Sequence, residues 1–149
     1  MKEQRGSWLR LEELERRDVP SAAGADPDCH HVNTTISGHL TGPTSTVGSI
    51  HSGLLRGTTA FSGTFIDAQG DYVGTLVNTT KHGTLTLEDQ GTLNFATGQF
   101  TDHLTVVGGT GRFAGATGEL FDQGALDQAG NFADAPLSGM ICLQHGQDD

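Results

Sequence analysis

The stretch Val106-Val107-Gly108-Gly109-Thr110-Gly111-Arg112-Phe113-Ala114-Gly115-Ala116-Thr117-Gly118 limits the fold more than any other part of the chain. Residues 100–107 before it read as a strand, and residues 112–121 after it read as another. Gly108, Gly109 and Gly111 suit a tight connection, because a residue without Cβ enters positive φ without a clash. Gly115 and Gly118 fall inside the second strand, where glycine marks a bulge, a bend or a close backbone approach. A dinucleotide-binding turn carries similar glycines, but it must open a helix and lead to a second parallel strand. Here Gly115, Gly118 and Gly124 make a poor helix, and little chain remains for such a domain. The stretch predicts a β-hairpin.

The same grammar runs through the rest of the chain. Glycine makes up 22 of the 149 residues, about twice its usual share of roughly 7%. Further strands are expected at 32–40, 46–51, 54–66, 71–80, 84–88, 92–95 and 132–143, each bounded by turn residues. Asp67-Ala68-Gln69-Gly70 and Lys81-His82-Gly83 read as turns, Asp89-Gln90-Gly91 as a hairpin loop, and 126–131 as a turn region. The count of eight or nine is close to the eight that close a small barrel. The fold class is therefore all-β, a single small antiparallel β-barrel of about eight strands over residues 29–145. A leader and linker (1–28), helical or disordered, precedes it, and a disordered tail (146–149) follows. Asp67 and Asp127 open two similar segments, Asp-x-x-Gly followed by Asp71-Tyr72 or Asn131-Phe132. Two like turns explain them, since a calcium loop needs six or more oxygen ligands.

Charge is unevenly placed. The formal net charge is −10, and five of the eight basic residues lie in the first 17 positions. Beyond them only Arg56, Lys81 and Arg112 are basic. So acidic a domain argues against nucleic acid and against anionic membrane surfaces as partners. No apolar run is long enough for a transmembrane helix. In the leader, Leu11 and Leu14 have helical spacing before Pro20 stops the helix. The segment from Leu11 to Ala22 resembles a leader found on exported and surface-associated bacterial proteins, which implies an exported or cell-surface location. The alternative is a short amphipathic helix docked on the domain.

Gly-Gly-Thr-Gly-x-Phe-x-Gly-Ala-x-Gly after an apolar strand, with Gly70-Asp71-Tyr72-Val73-Gly74 upstream, resembles the allene oxide cyclase-like and dirigent-like β-barrels. The resemblance covers roughly residues 38–143. It implies a barrel fold and, if catalysis occurs, steering of a cyclisation or coupling by cavity shape. It transfers no catalytic residue, because the matching glycines do no chemistry and one barrel class hosts several activities.

Cys29 and Cys142 fall on the first and last expected strands, which pair in a closed up-and-down barrel. A disulfide between them suits an exported protein. Free thiols are one alternative, and a zinc site using Cys29, His30, His31, Cys142 and His145 is another, though the spacing matches no common zinc framework. Asn33-Thr34-Thr35 and Asn78-Thr79-Thr80 fit the glycosylation pattern, as often happens in a threonine-rich chain. No Gly-x-Ser-x-Gly nucleophile elbow is present.

Strand parity supplies the candidate site. Phe100, Asp102, Leu104 and Val106 share one strand face, and Phe113, Gly115, Thr117, Glu119 and Phe121 share one face of the next. Tyr72 shares a face with Leu76 and Asn78. If these faces point inward, Tyr72, Asn78, Asp102, Phe113, Glu119 and Phe121 line an apolar lumen with a few polar groups, as small-ligand sites usually do. Asp102 and Glu119 would then be cross-strand neighbours, and burial and like charge would raise the pKa of at least one. The alternative places both at the rims, in water. The function expected is non-covalent binding of a small, mostly apolar molecule, with no cofactor and no metal, in a chain that is monomeric or a homo-oligomer. A surface or matrix protein with a filled core and a cofactor-free cyclase or isomerase are the rival readings.

Overall fold

The computed structural model describes residues 28–144. The tail, and the leader up to residue 27, lie outside the described residues. Eight strands follow one another: β1 (Asp28–Gly42), β2 (Ser45–Ile50), β3 (Gly57–Phe65), β4 (Asp71–Thr80), β5 (Gly83–Leu93), β6 (Gln99–Gly109), β7 (Thr117–Ala125) and β8 (Asn131–Leu143). Each pairs antiparallel with the next, and β8 pairs with β1 to close the barrel. Closure leaves no sheet edge to template a second chain.

Turn chemistry sets the connections. Asp67 Oδ1 accepts from the backbone N–H of Gln69 and Asp71, and Asp127 Oδ1 accepts from those of Ala129 and Asn131. The two similar segments are thus the same side-chain-capped turn used twice, with Gly70 and Gly130 at positive φ. Cys29 and Cys142 face each other across β1 and β8 and form a disulfide.

β1 extends beyond the expected 32–40 at both ends, and three other boundaries differ for identifiable reasons. The expected hairpin at Asp89-Gln90-Gly91 is absent, and β5 runs through it unbroken. Leu85, Leu87, Asp89, Gly91 and Leu93 keep one alternation, and the real turn, at 94–98, is capped by Asn94 Oδ1 accepting from Ala96 and Thr97. β3 begins at Gly57 rather than 54, because Leu54 and Leu55 fold inward instead of extending the strand. β7 begins at Thr117 rather than 112. Gly111–Phe113 forms a 3-10 turn, and Gly115 follows at φ 75°.

One end of the barrel is filled. Leu85, Leu87, Leu104, Leu120 and Ile141 pack its interior, and Leu55 and Phe113 close it. We call this end the base. The opposite end, reached by the β1–β2, β3–β4, β5–β6 and β7–β8 turns, is the mouth. Near the mouth the interior side chains change from leucine to aromatic, and glycines make room for the rings. Tyr72 lies opposite Gly91, Phe100 opposite Gly124, and Phe132 opposite Gly38. A Cβ on these glycines would fall 2.4 Å from Tyr72, 2.8 Å from Phe100 and 2.8 Å from Phe132. Phe61 occupies the space over Gly63 and Gly74 in the same way. Five of the 22 glycines are therefore ring space.

Candidate functional site

The mouth half encloses a hollow of about 100 Å³, lined by Phe61, Phe65, Tyr72, Phe100 and Phe132 with Ile36, Leu40, Leu76, Leu93, Leu104 and Leu126. Phe61 and Phe65 both meet the Tyr72 ring edge-on at 5.9 Å, and Phe100 meets Phe132 at 5.4 Å. Such edge contacts hold the rings in place beyond the area that they bury. Engineered apolar cavities of about 150 Å³ hold a benzene-sized guest. This hollow is smaller, and Leu40, 38% exposed, leaves it open to solvent, so a single ring would extend partly into the mouth.

Its floor is acidic. Asp89 on β5, Asp102 on β6 and Asp122 on β7 line the same hollow. Asp102 is the direct cross-strand partner of Asp122 and of Gly91. Gly91 in turn pairs with Tyr72, so Tyr72, Gly91, Asp102 and Asp122 make one row across four strands. The missing side chain at Gly91 lets the Tyr72 hydroxyl cross β5 and donate to Asp102 Oδ1. Asp89 is 5% exposed and Asp102 9% exposed. The Oδ1 atoms of Asp89 and Asp122 are buried without a hydrogen-bond partner.

Electrostatics follow from that packing. Burial, then the Asp102 charge beside it, pushes the Asp89 carboxyl up to about 9. Burial and the bond to Asp102 push the Asp122 carboxyl up to about 10. Burial and the Asp102 charge also drive the Tyr72 phenol far above its ordinary range. At neutral pH the floor therefore keeps protons that water-exposed carboxyls would lose.

The six residues expected from parity separate into three pairs. Tyr72 and Asp102 line the hollow. Asn78 and Phe113 point inward but belong to the base. Asn78 Nδ2 donates to the carbonyls of Leu55 and Thr58 at 3.1 and 3.2 Å, pinning the β2–β3 loop, and Phe113 is fully buried as part of the plug. Glu119 and Phe121 face outward, a correction to the expected orientation. Glu119 Oε1 lies 2.7 Å from His103 Nε2, and Phe121 stacks on the His103 ring at 4.7 Å on the outer wall. The cause is the 3-10 turn. Alternation cannot be carried from Phe113 through Gly115 to Phe121, and the cross-strand partner of Asp102 is Asp122, not Glu119. The like-charge neighbours are thus Asp89 and Asp122. Both could have been found by extending local alternation, Leu85-x-Leu87-x-Asp89 and Leu120-x-Asp122-x-Gly124.

The fold and site together define a closed eight-stranded barrel, solid at one end and hollow over an acidic floor at the other. No family model and no curated protein matches the sequence. Among solved structures, that of a pterocarpan synthase dirigent protein matches at a TM-score of 0.35 and 13% identity, over 86% of this chain and 98% of that chain. At that score the likeness adds nothing to the reading of the site.

Proposed function

We propose that this protein binds a small, mostly apolar molecule non-covalently in the mouth half of the barrel. The observation that carries the reading is the aromatic-walled hollow, which opens to solvent, with a cluster of carboxyls at its floor and Thr44 and Thr46 at its rim. Ligand sites are usually built this way, with an apolar wall for affinity and a few polar groups for orientation. The rival reading, a structural barrel with a filled core, describes the base well but leaves the buried, unpartnered Asp89 and Asp122 oxygens without a purpose. We place the barrel among the allene oxide cyclase-like and dirigent-like proteins on the two glycine motifs. Tyr72 and Gly74 of the upstream motif supply the phenol of the floor and the space under Phe61. We also read the chain as exported, since structural disulfides persist in oxidising compartments.

Titration with toluene, followed by methyl NMR, tests the binding reading. Saturable one-to-one binding that shifts the methyls of Leu76, Leu104 and Leu126 is the expected outcome. The absence of binding, or shifts confined to the outer wall around Phe121, overturns it.

A further inference from the structure

Three features of the hollow bear on what chemical group its occupant carries. The first is a count of donors and acceptors. Asp89, Asp102 and Asp122 bring six oxygens to the floor; the Tyr72 hydroxyl donates to Asp102 Oδ1, and the protons held by Asp89 and Asp122 are shared with Asp102. Asp89, 95% removed from solvent, lines the hollow with its Oδ1 unpartnered, and the Asp122 Oδ1 is in the same condition. Buried acceptors without donors are costly. An occupant that satisfies them must bring N–H or O–H groups.

The second feature is the wall. Phe61, Tyr72, Phe100 and Phe132 present rings around the carboxyls. Ring faces attract a cation that has left water.

The third is the polarity of the whole barrel. The three Lys and Arg residues among those described, Arg56, Lys81 and Arg112, border one depression at the base. The mouth turns carry Asp67, Asp71 and Asp127 instead. Such a charge distribution steers cations toward the mouth and anions away from it.

Resting on the reading of the lumen as a binding site, we propose that its ligand is an organic ammonium. Its N–H groups sit on Asp89, Asp102 and Asp122, and its apolar body sits among Phe61, Phe100 and Phe132. The ammonium supplies the donors that the floor lacks, in a form matched to the Asp102 charge. The protons retained by Asp89 and Asp122 support this, because they reduce the negative charge that a single ammonium has to meet. A charge buried without its counterpart would be strongly unfavourable. A metal ion is the less fitting cation, since no group of three or more His, Cys, Asp or Glu among the described residues is arranged to hold one.

Four probes of nearly one shape test the proposal on the whole protein near pH 7: benzylamine, benzyl alcohol, toluene and benzoate. Benzylammonium is expected to bind at least tenfold tighter than toluene, a difference of about 1.4 kcal/mol. Benzyl alcohol should fall between them, and benzoate should not bind. Added salt should weaken benzylammonium and leave toluene unchanged. Asp102→Asn should remove the preference for benzylammonium over benzyl alcohol, with β-type circular dichroism reporting whether the variant has folded. If that variant does not fold, the four-probe ranking of the wild-type protein decides. Toluene binding as tightly as benzylammonium overturns the ammonium proposal and leaves the binding reading intact. Failure of all four probes to bind removes both.

Discussion

Asp89 and Asp122 hold their protons far above the pH at which an unfolded chain releases them. The sign of the resulting pH dependence is fixed. An unfolded aspartate ionises near its ordinary value of 3.8, whereas these two are pushed up to about 9 and about 10 when folded. Between those limits the folded state binds more protons, so stability is greatest at the acid end and falls as pH rises. Melting temperature is expected to drop by several degrees between pH 5 and pH 9, and the drop should shrink in the Asp89→Asn, Asp122→Asn double variant. An unchanged slope in that variant would assign the effect to surface charge. Tyr72→Phe removes the hydroxyl that donates to Asp102 and should cost roughly 1–3 kcal/mol in denaturant unfolding, the range for a buried acceptor that loses its donor. By contrast, Phe121→Ser on the outer wall should leave toluene binding unchanged. Tyr72 and Asp102 were legible from alternation alone. Glu119 and Phe121 were not, because their facing was carried across a 3-10 turn from Phe113 instead of being read from the local alternation of Leu120 and Asp122.

At the scale of the strand, rings and glycines are paired across the ladder. Tyr72–Gly91, Phe100–Gly124 and Phe132–Gly38 each run from an even-numbered strand to the next one round the barrel. Gly91→Ala tests the device where it matters most. Its Cβ would lie 2.3 Å from Asp102 Oδ1 and 2.5 Å from the Tyr72 hydroxyl. The variant should break the Tyr72–Asp102 bond and destabilise the barrel by about 1–3 kcal/mol, the usual range for overpacking. Normal stability with unchanged Asp102 chemical shifts would show that β5 moves aside to accommodate the methyl. Turn chemistry made most strands readable, Asp67–Gly70 and Lys81–Gly83 among them. It misled at Asp89-Gln90-Gly91, where a turn-like triplet serves a buried carboxyl and a ring slot. The composition of a turn and the composition of this floor are the same, and only the length of the surrounding alternation separates them.

For the molecule as a whole, closure depends on β1 meeting β8, and the Cys29–Cys142 bond ties that seam across 113 positions of sequence. In the chain-entropy model a loop of that size contributes about 4–5 kcal/mol. Reduction should therefore lower the melting temperature while β-type circular dichroism persists below it, because the ladder between β1 and β8 remains. A loss of β structure on reduction at room temperature would mean that the ladder cannot hold the seam. The barrel and its seam could be anticipated because they rest on strand number and on two cysteines. The inward facing of each of Asp89, Asp102 and Asp122 was readable from local alternation, but their grouping into one floor was not, because it needs the registers of β5, β6 and β7 at once, and registers are long-range facts. The seam also fixes a direction. Asp28 begins β1 and Leu143 ends β8 at the base, with the disulfide one residue further in on each strand, so the described chain enters and leaves at the pole opposite the mouth. A resin, a fused reporter or a cell envelope attached directly at Asp28 or Leu143 would hold the barrel by its foot and turn the opening outward.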